Sequence, residues 1–168
     1  VALPAERSEP AVEPVQERRF PDGRAIVPER DELFRLASVR LDAPGGKATY
    51  WVRGSDGWRT GPTPEAAAKA PVSGQVTEGR DGSLWIETPA ETRAIMADGV
   101  LVVLDHATRT RRAFDPQGQL AEVANGRGQV WRFGWSPEGL VGAVGPMGAI
   151  QQNLNRGRVD KETWTYFQ

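Results

Sequence analysis

Turn-forming residues interrupt this chain at short, regular intervals, and this spacing is the feature that most constrains its fold. From Leu33 onward, clusters of Gly, Pro, Asp and Ser separate short stretches of β-branched and aromatic residues. Strands that recur every ~8–12 residues indicate an all-β domain. Glycine and proline together form about a fifth of the 168 residues, against roughly 12% in average proteins, which favours turns over long helices.

Individual strands are predicted from the same pattern. Residues 33–41 alternate between apolar and mixed positions and stop at a Pro-Gly-Gly turn, and the Asp81-Gly82 dipeptide is typical of a tight hairpin. One short helix is predicted near 64–70, because a capping Thr precedes a Pro at its first position. We therefore predict an antiparallel meander. Its further predicted strands are 49–52, 74–77, 84–88 and 100–104.

The first 30 residues have a different composition. Five prolines and several acidic residues are spread through residues 1–30, at a spacing that neither a helix nor a strand tolerates. The segment lacks the basic stretch and apolar core of an intact secretory signal, so we expect the start of a mature protein or an internal piece of a longer one. We predict an extended Pro/Glu-rich arm over 1–30 and a β-rich domain over 31–168.

Composition excludes several kinds of chemistry. The chain has no cysteine and a single histidine, so disulfides, thiolate zinc sites, cysteine nucleophiles and multi-histidine metal sites are ruled out. Its net charge of −1 gives no electrostatic reason to expect a nucleic-acid partner. No apolar run approaches the ~18 residues of a transmembrane helix. We expect no cofactor and no metal.

The last third of the chain contains an internal repeat. Two segments align at a spacing of 21 residues, the first beginning at Phe114 and the second at Trp135. Each has an aromatic residue, a Pro turn closed by Gly, and a strand with apolar positions on one face. Such a unit cannot bury its own apolar face, so it must stack on neighbours. The matched positions of the first copy are Phe114, Pro116, Gly118, Leu120 and Val123.

This pattern resembles the Rhs/YD-repeat family over about residues 110–150, with YD-like repeats at 112–150. The matching residues are Phe114-Asp115, Gly118-Gln119-Leu120 and the linker from Gly128 to Gly134. Ser136 replaces the family's Asp in the second copy. The resemblance implies a β-ribbon of the kind that spirals into a shell around a toxin segment in bacterial secreted effectors. This chain would be a fragment, a cap or a small relative of such a shell.

A second resemblance concerns residues 81–88. They look like the Asp-Gly-x-Leu-Trp-Ile-Gly-Thr strand of sensor-type β-propellers, with Glu87 in place of the second Gly. A propeller needs at least four blades of ~40 residues, which would consume the entire chain. We therefore interpret this segment as one hairpin.

A catalytic interpretation has few candidates. His106 lies at a predicted hairpin tip, and general-base chemistry would require a hydroxyl or a carboxylate beside it. Glu87, Glu91 and Asp98 are the carboxylates that a glycoside-cleaving enzyme would need as a pair, whereas solvated strand faces are the simpler interpretation of these acids. We assign no catalytic residue and keep a small secreted hydrolase as the alternative function.

The candidate binding residues are aromatic and basic. Trp131, Phe133 and Trp135 alternate along one strand, so their side chains point to the same face. This row is either the core of a thin β-layer or a platform for a partner or a sugar. Arg111 and Arg112 lie in a basic cluster and take opposite faces of a strand, where they either bind an anion or pair with acidic residues. We predict these five residues as the binding site.

The function expected from these features is non-enzymatic. We predict a bacterial β-module, secreted or in the cell envelope, that scaffolds, caps or binds a protein partner within an Rhs-type toxin system. The partner would be another chain of a larger assembly or a toxin segment, and carbohydrate is the second ligand class. Residues 163–167 have strand composition and would pair with another chain or a continuing repeat.

Overall fold

The structure, a computed structural model, describes residues 14–146. It is an all-β fold with one short helix, which confirms the predicted fold class. The strands form two antiparallel sheets of five and eight strands, and in both sheets neighbours in sequence are neighbours in space. The strand predicted over 163–167 lies outside the described residues.

The five-stranded sheet precedes the helix. Its strands are β1 (Arg18–Arg19), β2 (Ala25–Arg30), β3 (Leu36–Asp42), β4 (Ala48–Arg53) and β5 (Trp58–Gly61). Helix α1 spans Pro64–Lys69. The Thr63 hydroxyl accepts a hydrogen bond from the Ala66 amide at 3.0 Å, which confirms the predicted cap and satisfies an amide that the helix itself cannot pair.

The eight-stranded sheet follows the helix. Its strands are β6 (Gln75–Glu78), β7 (Leu84–Glu87), β8 (Glu91–Ile95), β9 (Leu101–Asp105), β10 (Arg111–Phe114), β11 (Leu120–Ala124), β12 (Val130–Ser136) and β13 (Gly139–Val144). An antiparallel bridge between Trp58 and Gly74 links its start to β5.

Seven hairpin turns of the described chain share one geometry. In each, the first amide donates to the fifth carbonyl and the fourth amide donates to the first carbonyl. The fourth residue has a positive φ, which favours glycine, and six of the seven turns have Gly there. Phe34 is the exception, with a φ of 63° and an exposed ring that lies 4.6 Å from the Arg30 guanidinium. The turns are 20–24, 31–35, 43–47, 79–83, 96–100, 115–119 and 125–129.

The hydrophobic core lies between the five-stranded sheet and the first strands of the eight-stranded sheet. Val39 and Trp51 from one sheet and Leu84 and Ile86 from the other are buried in one cluster. Each comes from an inward-facing position of its strand, since cross-strand partners such as Val39 and Trp51 share a face. The core is therefore that of a β-sandwich.

Residues 14–30 belong to this sandwich rather than to an extended arm. β2 pairs with β1 and β3, and Val15 and Phe20 are buried in the core. Pro28 is tolerated because β1 pairs only with the first two residues of β2, so among the described strands the rest of that edge is open. The predicted boundary at residue 30 is therefore too late. The first 13 residues of the predicted arm lie outside the described chain.

The two copies of the internal repeat form consecutive hairpins whose turns differ. Phe114 ends β10, and its turn is one of the seven shared turns, with the Asp115 carboxylate accepting from the Gln119 amide at 2.8 Å. In the second copy Ser136 pairs directly with Gly139, which leaves a two-residue turn. Both copies thus follow the predicted order of strand, turn and strand, while membership of the YD-repeat family stays a prediction.

Candidate functional site

Three of the five predicted binding residues lie together on β12. Trp131, Phe133 and Trp135 occupy alternate positions and share one face of the eight-stranded sheet. Trp131 and Phe133 are partly buried, whereas Trp135 keeps 37% of its surface exposed. The Trp135 indole N–H donates to the Leu120 carbonyl oxygen at 2.7 Å, so its polar end is satisfied and an apolar ring surface remains exposed.

This aromatic row continues the face that forms the core. Val103, Arg112, Val123 and Trp131 are successive cross-strand partners on β9 to β12, so their side chains point to the same side. Val103 is buried at the edge of the sandwich, yet the described core cluster has no member from β10–β13. We call this side of β10–β13, with Val123, Trp131, Phe133 and Trp135, the aromatic face.

The two predicted arginines are separated by the sheet, as their adjacent positions require. Arg111 lies on the opposite side, where its Nη2 is 3.3 Å from the Glu122 carboxylate. Arg112 lies on the same side as the aromatic face and lines a cleft between the sheets. The structure therefore brings Arg112 and the aromatic row to one face and places Arg111 on the other.

A shallow groove lies beside Trp135. Its volume is about 480 Å³, and it is bounded by Phe133 and Trp135 together with polar turn residues of the first repeat. Gln117 and Gln119 offer amide groups at its edge. The groove therefore combines apolar ring surface with hydrogen-bonding groups, as protein-binding surfaces do.

Both ring nitrogens of the catalytic candidate His106 have hydrogen-bond partners. The His106 Nε2 lies 2.8 Å from the Thr92 hydroxyl and its Nδ1 lies 3.1 Å from the Pro89 carbonyl. Neither ring nitrogen contacts a carboxylate, so the imidazole links the turn after β9 to the β7–β8 connection. The Thr92 hydroxyl is the kind of neighbour that a general base requires, whereas the group beside Nδ1 is a backbone carbonyl and not a carboxylate.

The three carboxylate candidates do not converge. Glu87 is exposed on the outer side of the sheet, whereas Glu91 forms an ion pair with Arg93 on the inner side. Asp98 accepts a hydrogen bond from the Val100 amide in the β8–β9 turn, at 3.1 Å. Within residues 14–146, no three His, Asp or Glu side chains are grouped so that they would hold a metal ion.

A larger cleft, which the sequence pattern did not indicate, lies between the two sheets. Its volume is about 800 Å³. Turns of both sheets line it at one end, where Phe20 and Asp22 come close to Gly99 and Gly118. Arg24 is held at that end by its ion pair with Asp22, and its Nη2 donates to the Gly99 carbonyl at 2.5 Å.

Comparison with known proteins adds no family assignment. No protein-family model matches the chain, and no curated protein matches it. The described part of the chain also has no helix that is long and apolar enough to span a membrane. The resemblance to the Rhs/YD-repeat family therefore depends on the motif residues of 110–150.

Proposed function

We propose that this chain is a non-enzymatic β-module that binds a protein partner through the aromatic face of β10–β13. The observation that carries the proposal is Trp135, an exposed ring beside a groove on the side of the sheet that forms the core elsewhere. Trp is one of the residue types that most often carry the binding energy of a protein interface. The proposed contact would extend the sandwich with a layer supplied by the partner.

The surroundings of Trp135 favour a protein over a small ligand. The ring is held by its hydrogen bond to the Leu120 carbonyl, so little side-chain freedom is lost when a partner covers it. The groove beside it is shallow and edged by glutamine amides, which suit hydrogen bonds to a polypeptide backbone. The separation of Glu87 from Glu91, which lie on opposite sides of the sheet, supports a non-enzymatic role.

The proposed biological setting is inferred from the sequence alone. The motif residues at 112–150 resemble Rhs/YD repeats, which supports a bacterial module that is secreted or lies in the cell envelope. In that setting the partner is a toxin segment or another chain of the same assembly. A sugar is the competing ligand for an exposed Trp with neighbouring amides.

The proposal is tested by co-expression with the proteins encoded beside this chain. The informative variant is Trp135→Glu, and the matched control is Trp85→Glu, because Trp85 has 36% of its surface exposed on the opposite side of the same sheet. We expect a neighbour-encoded protein to co-purify with the wild-type chain and with the control, and to be lost with Trp135→Glu. Isothermal titration calorimetry of the purified pair measures the loss, which we expect to exceed tenfold in affinity.

Two results would contradict this function. Equal loss of the partner in both tryptophan variants would show that the aromatic face is not the contact. Loss of a biological activity in His106→Ala or Glu87→Gln, with folding intact by circular dichroism, would instead favour the hydrolase alternative. Titration of the wild-type chain with oligosaccharides, followed by tryptophan fluorescence, tests the sugar alternative.

A further inference from the structure

The cleft between the sheets has apolar walls from both layers. Its volume of about 800 Å³ falls within the roughly 300–1,000 Å³ typical of small-molecule sites. One wall comes from β2–β4 and the other from β7–β10. The main apolar wall residues are Ile26, Leu41, Trp51, Val103, Ile95 and Phe114.

One end of the cleft is fixed by close contacts between the layers. A Cβ atom added at Gly99 would lie 2.8 Å from the Phe20 ring, and one at Gly118 would lie 3.1 Å from the Asp22 carboxylate. Phe20 also lies beneath the Arg24 guanidinium, 5.2 Å from its ring centre. These contacts hold the layers together at this end of the cleft.

Charges in the cleft are paired, with one exception. Asp22 pairs with Arg24, Glu91 with Arg93, and Asp42 with Arg40. Arg40 lies outside the wall, and the remaining charged wall residue is Arg112, which has no ion pair within residues 14–146.

Arg112 lies at the mouth of the cleft. It is exposed, and its strand neighbour Val103 is buried next to it. Arg112 also contributes to the lowered pKa of Asp105, but the Thr108 amide is the first cause and Arg112 the last. The guanidinium of Arg112 therefore remains available to a ligand, and its fork of N–H groups suits a carboxylate or phosphate.

We propose that the cleft binds a small anionic amphiphile, with its apolar chain between the two sheets and its anionic head group at Arg112. This site adjoins the groove beside Trp135, because Gln117 lines both, but neither Trp131 nor Trp135 lines the cleft. The apolar walls provide affinity for the chain, and the single unpaired guanidinium selects a negative head group over a neutral or positive one.

Isothermal titration calorimetry with four ten-carbon probes tests the site. Decanoate and decyl phosphate carry anionic heads, decanol is neutral and decyltrimethylammonium is cationic. We expect one anionic probe to bind at least tenfold more tightly than decanol, and the cation to bind more weakly still. The tighter of the two anions identifies the head group. Each methylene added to the chain should tighten binding about fourfold.

Two arginine variants separate the charge from the fold. Arg112→Gln should weaken the binding of the anionic probes about tenfold, to the affinity of decanol. The affinity for decanol itself should not change. Arg111→Gln is the matched control, because Arg111 is the next residue on β10 and lies on the other side of the sheet, beside Glu122. It should bind all four probes as the wild-type chain does.

A third variant tests the apolar part of the cleft. Thr49 is exposed at the cleft wall, so Thr49→Trp should fill the space without disturbing the core and weaken decanoate and decanol alike. The proposal is overturned if no probe binds more tightly than about 1 mM, or if Arg112→Gln and Arg111→Gln bind decanoate equally. It is also overturned if Thr49→Trp binds both probes as the wild-type chain does.

Discussion

The two ends of the eight-stranded sheet have the same strand alternation but different surroundings. In the sandwich, residues 14–105, the inward positions of β6–β9 pack against a second sheet, and residues such as Leu84 are fully buried. In the extension, residues 111–144, the same side of the sheet carries the aromatic face, and its largest exposed ring is Trp135. Alternation therefore decides which side of a sheet is apolar, and a second layer decides whether that side becomes a core.

The strongest test of this comparison is a pair of tryptophan substitutions. Trp51 is 7% exposed in the sandwich and Trp135 is 37% exposed in the extension. We expect Trp51→Ala to lower the free energy of unfolding by about 3–5 kcal/mol, because it leaves a cavity between two layers. Trp135→Ala should cost only about 1 kcal/mol. Urea unfolding followed by circular dichroism measures both, and equal losses would show that the extension is as tightly packed as the sandwich.

The second test concerns the ion pair between the layers of the sandwich. Arg30 Nη2 lies 2.5 Å from Glu78 Oε1, and the same carboxylate accepts the Val15 amide at 2.9 Å. Glu78→Gln should lower the free energy of unfolding by about 2 kcal/mol, as expected when hydrogen bonds to a charged group are weakened. Glu122→Gln is the control in the extension, where the ion pair with a more exposed Arg111 should contribute less than about 1 kcal/mol.

The same pair predicts a pH dependence. The hydrogen bond from Arg30, followed by that from the Val15 amide, holds the pKa of Glu78 below its ordinary value of 4.5. A carboxylate with a lowered folded-state pKa stabilises the fold above its unfolded-state value, and this stability is lost as the pH falls through the folded-state value. Below about pH 4.5, the free energy of unfolding of the wild-type chain should therefore decrease more than that of Glu78→Gln. Urea unfolding of both proteins across this pH range measures the difference. Parallel curves for the two proteins would contradict the role of this pair.

The smallest expected effect concerns two glycine turns. Gly118 and Gly128 both have positive φ values, of 87° and 82°, but only Gly118 lies against the other sheet, at Asp22. Gly128→Ala should cost about 1 kcal/mol of backbone strain. Gly118→Ala should cost about 1 kcal/mol more, because the added methyl also presses on Asp22. Thermal unfolding of both variants measures the difference, and equal midpoints would show that the turn does not restrain the sheets.

The parts of the fold that depend on local chemistry were predictable. The hairpin at Asp81-Gly82 and the helix after Thr63 follow from turn and cap preferences of a few residues. β2 was not predicted because Pro28 argues against a strand. The strand tolerates Pro28 because β1 is short and pairs only with Ala25 and Ile26. β8 was missed because its composition is polar, and it becomes a strand only by pairing with β7 and β9 on either side.

One candidate site was indicated by the sequence and the other was not. The alternation correctly indicated that Trp131, Phe133 and Trp135 share a face and that Arg111 and Arg112 do not. No sequence signal located the cleft, because its walls belong to different sheets whose relative placement the pattern does not contain.

By itself, the sequence determined the fold class, the positions of most turns and the shared face of Trp131, Phe133 and Trp135, since these depend on residues that are neighbours along the chain or across one hairpin. Only the tertiary structure decided how far the first sheet covers the second. That coverage depends on contacts such as Val15 to Glu78, 63 residues apart, and on the packing of whole faces. It makes one stretch of the apolar side a core, the next the wall of a cleft, and the last a partly buried face with one exposed ring, Trp135.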